Sequence, residues 1–292
     1  MTRRPAVVVL AVAVASMRMA AQQQPPVFRT STDVVTVDVS VRSGNGAVAG
    51  LTAADFEVLD NGVQQKIEAF SLETLAIDVT LLLDASKSVE GRVLDRLKTS
   101  VVTTAGLLGR NDALRLLALQ HRIRQIFAFQ PGGGRPAVEG LTAQGGTSLF
   151  DGLAAAMMHR SDPDRRQLVI AYTDGQDTLS ILDAQTAREV AQHADAVVHV
   201  VVPVEARKLT APDSPNAAIL RELTGQTGGQ VFYPNASEGL TGAFSRALSE
   251  FRTSYVLRYT PGGVAREGWH DITVRVTSGT YDVHAKKGYS GG

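Results

Sequence analysis

The 292 residues, 44% apolar and 20% charged, suffice to bury a full core and have a globular composition. The 29 basic and 29 acidic side chains balance, so nothing in the composition marks a nucleic-acid-binding surface. With no cysteine, disulfides, an iron–sulfur cluster and a lipid-modified cysteine are excluded, leaving the hydrophobic core or a bound metal to supply stability.

Residues 1–21 read as a secretory signal peptide: Thr2-Arg3-Arg4 is positive, 5–16 is apolar, and Ala20-Ala21 offers small residues for cleavage. Arg18 interrupts the apolar run well short of the roughly 20 residues a membrane span needs. The expectation is an exported chain, periplasmic or extracellular, with no membrane span after signal cleavage. An uncleaved N-terminal membrane anchor is the alternative. Residues 22–33, opening on Gln22-Gln23-Gln24-Pro25-Pro26, form a linker.

An N-terminal β segment follows over 34–74. Residues 34–41 alternate with period two, as a half-buried strand does. A second strand at 55–59 ends on Asp60-Asn61-Gly62, and Asn61-Gly62 reads as a hairpin turn into an extended stretch at 63–70.

The texture changes over 75–253, where apolar strands alternate with helical patterns. Strands are expected at 77–83, 113–119, 123–129, 167–173, 196–202 and 230–233. Helices are expected at 89–108, 149–158, 183–195, 217–227 and 240–253, with Asn216 as a cap for the fourth. The run at 196–202 is too continuously apolar for a one-sided strand and implies a sheet covered on both faces. The fold class is therefore α/β, a doubly wound, mostly parallel sheet. From 254 the pattern is β again, with strands at 255–259, 270–276 and 281–286. The segment 254–292 is expected to pair with 34–74 as a small accessory β domain, the α/β domain being inserted between them.

The chemistry lies where these strands end. Asp84-Ala85-Ser86-Lys87-Ser88 follows the strand at 77–83, Gly145-Gly146-Thr147-Ser148 precedes the helix at 149, and Thr173-Asp174-Gly175 closes the strand at 167–173. Open α/β sheets hold ligands at such ends, and acids with hydroxyls supply the oxygens a hard divalent cation takes. Each piece alone has a local reading: Asp84, Ser86, Ser88 or Thr147 as helix caps, Asp174-Gly175 as a turn. Their occurrence together, in order, favours one discontinuous site. Asp177 reads as a solvated loop acid, and Lys87 as pointing to solvent.

These motifs resemble the metal-ion-dependent adhesion site of von Willebrand factor type A domains, over residues 75–250. The flanks, through Gly50-Leu51-Thr52-Ala53-Ala54-Asp55-Phe56, Tyr255–Pro261 and Lys287-Gly288-Tyr289, are similar to bacterial exported von Willebrand factor type A-related proteins, notably of acidobacteria. Lys87 departs from the small residue usual inside the first motif. The resemblance implies metal ligation by Ser86 and Ser88 hydroxyls, with Thr147, Asp84 and Asp174 completing the set directly or through water. Magnesium is the expected divalent cation, with manganese or calcium as alternatives. An ion whose charge is not cancelled by directly bound carboxylates attracts an external acid, so the implied partner is a protein presenting Asp or Glu.

Catalysis is not expected. The six histidines lack zinc-site spacing, and no G-x-S-x-G elbow occurs. Ser86 stands where an aspartyl-phosphate enzyme starting at Asp84 would need a general acid. A regulatory or assembly subunit of an envelope or secretion complex is the second reading, and a metal-dependent hydrolase the third.

Overall fold

In the computed structural model, which describes residues 34–44, 46–72, 75–159, 164–203, 214–234 and 238–291, the alternation at 34–41 folds as β1 (Val35–Ser43). The signal peptide and linker expected over 1–33 lie outside the described residues. Val35, Val37, Val39 and Val41 are buried along one face of β1, as period-two alternation dictates. β2 (Gly46–Ala47) folds back on β1, while β3 (Phe56–Asp60) and β4 (Val63–Gln65) form a hairpin. Its turn residues Asn61 and Gly62 both have positive φ, 47° and 80°, which explains the Asn-Gly pair there.

The expected extended stretch at 63–70 divides between two sheets. β4 stays with β3, whereas β5 (Ala69–Leu72) pairs with β12 (Tyr255–Tyr259). Three further strands follow: β13 (Gly268–Val276), β14 (Asp282–Ala285) and β15 (Gly288–Gly291). One antiparallel sheet runs β14-β1-β12-β5 and the other β15-β13-β3-β4. Both sheets combine strands from before and after the α/β region: they alternate in the first, with β1 between β14 and β12, and meet once in the second, where β3 lies beside β13. Their shared core holds the four β1 valines with Phe56, Val58, Tyr255, Leu257, Tyr259 and Ile272.

Between β5 and β12 the chain forms β6 (Ala76–Asp84), α1 (Arg92–Gly106), β7 (Ala113–Leu119), β8 (Arg124–Pro131), α2 (Leu149–Met157) and β9 (Arg165–Tyr172). It continues through α3 (Ala184–Gln192), β10 (Val197–Val201), α4 (Pro215–Gln226), β11 (Val231–Phe232) and α5 (Gly239–Arg252). The sheet order is β11-β10-β9-β6-β7-β8, parallel except for β8. Every residue from Ile77 to Asp84 is buried, so β6 is covered on both faces. Val79, Leu81 and Leu83 face one hydrophobic cluster with α1 and α5, and Leu82 faces the other with α2, α3 and α4. Leu97, Val101 and Ala105, four apart, place α1 on the first cluster. Gly152 lets α2 lie close to the sheet, since a Cβ there would meet Leu119 Cδ2 at 1.9 Å. α4 starts earlier than expected: Pro215 takes its first turn and the Ser214 hydroxyl accepts from the Ala217 amide, so Ser214, not Asn216, is the cap.

The sandwich meets the amino ends of the parallel strands. Arg166, near the start of β9, donates to Asp38 of β1 (2.7 Å) and to the Phe251 carbonyl of α5 (2.9 Å), and its guanidinium lies 4.0 Å from the Phe251 ring centre. Glu250 of α5 accepts from Arg42 (2.6 Å) and Ser40 (3.1 Å) of β1. The carboxyl ends of the strands, where Asp84 lies, face away from this junction.

His199 in β10 is fully buried, and its Nδ1 accepts from the Gln230 amide at 3.2 Å. Burial first, then the positive charges of His284 and Arg42, push its pKa down to about 3. The unfolded chain therefore takes up a proton near pH 6.5 that the folded chain refuses down to about pH 3. Stability is full above pH 6.5 and falls as pH drops through that window. At pH 5 the expected loss from this residue is about 2 kcal/mol. Urea midpoints at pH 7 and pH 5 measure it, and His199→Asn, which keeps an acceptor but does not titrate, should flatten the slope.

Candidate metal centre

β6 delivers Asp84 to its carboxyl end next to β9, where the chain leaves the sheet in opposite directions on either side, the position where α/β sheets open a crevice. Asp84 is buried, and its Oδ1 accepts from the Ser86 amide at 2.9 Å. This bond turns the chain sharply, so Ser86 and Ser88 come together with their hydroxyl oxygens 2.8 Å apart. Ser86 is buried and Ser88 is exposed, so the pair runs from the interior to the surface. Neither hydroxyl caps α1: a short 3-10 turn (Lys87–Val89) intervenes, and the α1 N-terminus at Gly91 has no side-chain cap. Lys87 is exposed.

The second piece is tied to the first through the backbone. The Gln144 amide donates to the Ala85 carbonyl (2.9 Å), and the Lys87 amide to the Gly145 carbonyl (3.1 Å). Gly145 adopts φ +70°, a conformation open to glycine without strain. Buried Thr147 directs its hydroxyl to both Asp84 oxygens, at 3.3 Å each. That hydroxyl therefore does not cap α2, whose N-cap residue is Ser148; the Thr147 amide donates to the Thr178 hydroxyl (2.9 Å), while its carbonyl receives the Thr178 and Leu179 amides (3.0 and 3.1 Å).

The third piece, Asp174, follows β9 and is half-buried, with its carboxylate accepting from the backbone and side-chain amides of Gln176 at 2.9 Å each. It lies near enough for its charge to act on Asp84. Burial raises the Asp84 pKa most, Asp174 repulsion adds to the rise, and the bonds from Ser86 and Thr147 oppose it. Four of the five predicted residues are thus joined in hydrogen-bonded pairs, Asp84 with Thr147 and Ser86 with Ser88, and the fifth is coupled to them by charge.

Asp177, expected to be solvated, is instead half-buried and caps α2. Its Oδ1 accepts from the Leu149 amide (2.7 Å) and the Ser180 hydroxyl (2.5 Å). The partner is 28 residues away in sequence, so no local pattern marks it. His121, one of the six histidines without zinc-site spacing, is exposed but stands beside Gly145, its Nδ1 3.1 Å from where a Cβ would be. Only the close approach of the β7 end to the 145 loop reveals that neighbourhood.

Residues 78–246, more than half of the chain, match the von Willebrand factor type A domain. The chain belongs to that family. An uncharacterized protein of Synechocystis sp. is 28% identical over 108 residues, 35% of this chain and 26% of its own, so this chain aligns with about a quarter of that relative's length. Solved structures of similar fold include the PilB minor pilin from Streptococcus sanguinis, with 14% identity, TM-score 0.45, and coverage of 62% of this chain and 61% of the pilin. Hypothetical protein BatB from Bacteroides thetaiotaomicron has 15% identity and TM-score 0.45, covering 60% of this chain and 98% of its own.

The donor set of this von Willebrand factor type A domain suits a divalent cation. Asp84, Thr147 and the Ser86–Ser88 pair are linked by hydrogen bonds, Asp174 acts on Asp84 through its charge, and among the described residues no salt bridge joins Asp84 or Asp174 to a cationic side chain. An uncompensated buried carboxylate repelled by a second is costly until a cation joins them. Asp177→Ala should remove the α2 cap and lower stability by about 1–2 kcal/mol. It should also loosen the segments carrying Thr147 and Asp174. Denaturant unfolding reads the first effect and magnesium titration the second.

Proposed function

We propose that this protein is an exported, metal-dependent protein-binding module, non-enzymatic, that captures an acidic side chain of a protein partner. Asp84, Ser86, Ser88, Thr147 and Asp174 would hold the divalent cation, with magnesium the expected ion. When bound, the cation supplies an electrophile that a partner's Asp or Glu can ligate. Von Willebrand factor type A domains are commonly interaction or adhesion modules, which supports this reading. The observation that carries it is the inward convergence of the Thr147 hydroxyl on Asp84 beside Asp174, with no cationic side chain among the described residues to balance the two acids.

The chain's own groups divide the work. Asp84 and Asp174 provide the negative field, and the neutral hydroxyls of Ser86, Ser88 and Thr147 provide oxygens without cancelling the ion's charge. The Ser88 end is exposed, so a partner can approach from there. Export is supported by the charged and apolar pattern of residues 1–21. Among the described residues no helix is long and apolar enough to cross a membrane.

Calorimetric titration with magnesium, manganese and calcium tests the site directly. One binding event is expected, and its absence at millimolar metal would sink the assignment. Ser86→Ala combined with Ser88→Ala should abolish metal-dependent partner capture with the circular dichroism unchanged. Metal-dependent turnover in phosphatase or esterase panels would overturn the non-enzymatic reading.

A further inference from the structure

Leu179 and Ile181 are large apolar side chains on the segment that begins with Asp174, and they are 50% and 93% exposed. A single exposed apolar residue is ordinary, but these two occur on a segment fastened at nearly every turn. The Thr178 amide and hydroxyl are bonded to the Thr147 backbone, and the Leu179 amide donates to the Thr147 carbonyl at 3.1 Å. Asp177 and the Ser180 hydroxyl accept from the Leu149, Phe150 and Asp151 amides at the α2 N-terminus. The Asp151 carboxylate accepts in return from the Ile181 and Leu182 amides, at 3.0 and 2.9 Å. The backbone is therefore held while the two aliphatic side chains are left outward.

Their position ties them to the metal centre. A Cβ on Gly146 would stand 3.0 Å from Leu179 Cδ1, so the Leu179 side chain covers the residue immediately before Thr147. An extended partner strand advances about 3.3 Å per residue. A residue one or two positions from an acid seated at the metal would reach Leu179.

We propose that Leu179 and Ile181 form an apolar shelf that selects partners carrying a large aliphatic or aromatic residue next to the captured Asp or Glu. This rests on the reading of the metal centre given above. The charge pattern commits the occupant: the uncompensated acids at 84 and 174 call for a cation and hence an acidic partner, and Leu179, against Gly146, offers that partner an exposed apolar contact. The shelf is held in place beforehand, so a partner loses little by ordering it, and burying two aliphatic side chains strengthens binding by roughly tenfold each.

The test uses the full chain and an array of synthetic peptides with a central Asp or Glu, whose neighbours are Gly, Ser, Leu, Ile or Phe, in magnesium and in chelator. Wild-type protein should bind in magnesium only, tightest to peptides with Leu, Ile or Phe neighbours. Leu179→Ser with Ile181→Ser should keep magnesium affinity and acid dependence but lose the apolar preference. Ile181→Ser alone, at a nearly fully exposed position, should show a partial loss with unchanged thermal stability. Magnesium-dependent binding with no apolar preference, or a preference that survives in the double variant, overturns the shelf and leaves the metal centre standing. No magnesium-dependent binding of any acidic peptide overturns the metal-centre reading, and the shelf with it. A dimer by light scattering that the double variant abolishes would assign the surface to a second copy of the chain instead, and overturn the proposal.

Discussion

Replacing Asp84 by asparagine is expected to abolish divalent-cation binding while leaving the fold as stable as before. The substitution keeps an oxygen that can accept from the Ser86 amide and the Thr147 hydroxyl, but it removes a charge that burial and Asp174 both disfavour. In the metal-free state the stability change should lie within about 1 kcal/mol, because a lost charge-assisted bond offsets relieved desolvation. Metal affinity should fall by at least on the order of 100-fold, since even residues behind the ligands of metal sites commonly account for 10–100-fold. Thermal unfolding reads both effects together. Saturating magnesium at about 100 times Kd should stabilise wild type by about 2.7 kcal/mol and leave the variant unchanged. A variant that still gained stability from magnesium would remove Asp84 from the centre. One that unfolded without metal would make it a structural residue.

The second large effect is expected at Asp60, which has no exposure and closes the two sheets of the sandwich. Its carboxylate accepts from His270 Nδ1 (2.7 Å), the Tyr259 hydroxyl (3.0 Å) and the Tyr289 hydroxyl (2.8 Å). These partners come from β13, β12 and β15, so one acid from the N-terminal segment ties down three C-terminal strands. Burial first, and then the Asp60 charge, hold the Tyr259 phenol well above its usual range, so it remains a neutral donor. Asp60→Ala takes the shared acceptor from all three donors, with the Tyr289 hydroxyl keeping its 3.1 Å contact with His270 Nδ1, and should cost about 3–5 kcal/mol, a large share of the 5–15 kcal/mol that holds a typical domain together. Asp60→Asn, which keeps an acceptor, should lose less. Urea unfolding measures both, and a loss under about 1 kcal/mol for the alanine variant would show that the network is not what binds the sheets.

Much of the α/β architecture was legible because its strands are buried on both faces and its helices carry one apolar stripe. Such patterns are local: the continuous apolar runs at 77–83 and 196–202 correspond to β6 and β10, within a residue or two. Reading failed where the deciding contact was distant or the segment short. The stretch at 63–70 divides because β5 finds its partner in β12, almost 190 residues later. β15 was missed because Gly288-Tyr289-Ser290-Gly291 has little side chain to show a pattern, yet it pairs with β13. Asp177 looked like any loop acid until the fold brought it to the α2 N-terminus.

Residue type alone sets which donor atoms the proposed metal centre can offer. Acids and hydroxyls at successive strand ends, without cysteine or zinc-spaced histidine, are a choice of oxygen ligands that no folding step can change. The mostly parallel sheet was also legible in the sequence, through the alternation of apolar strands with helical patterns. How the pieces meet depends on the fold. It turned Thr147 toward Asp84, brought Asp174 close enough to repel it, and fastened the Asp174 segment to α2 so that Leu179 and Ile181 face outward. Range explains the division. Residue type and periodicity act over a few positions, whereas these contacts join residues 28 to 90 positions apart and exist only once β6 and β9 lie side by side.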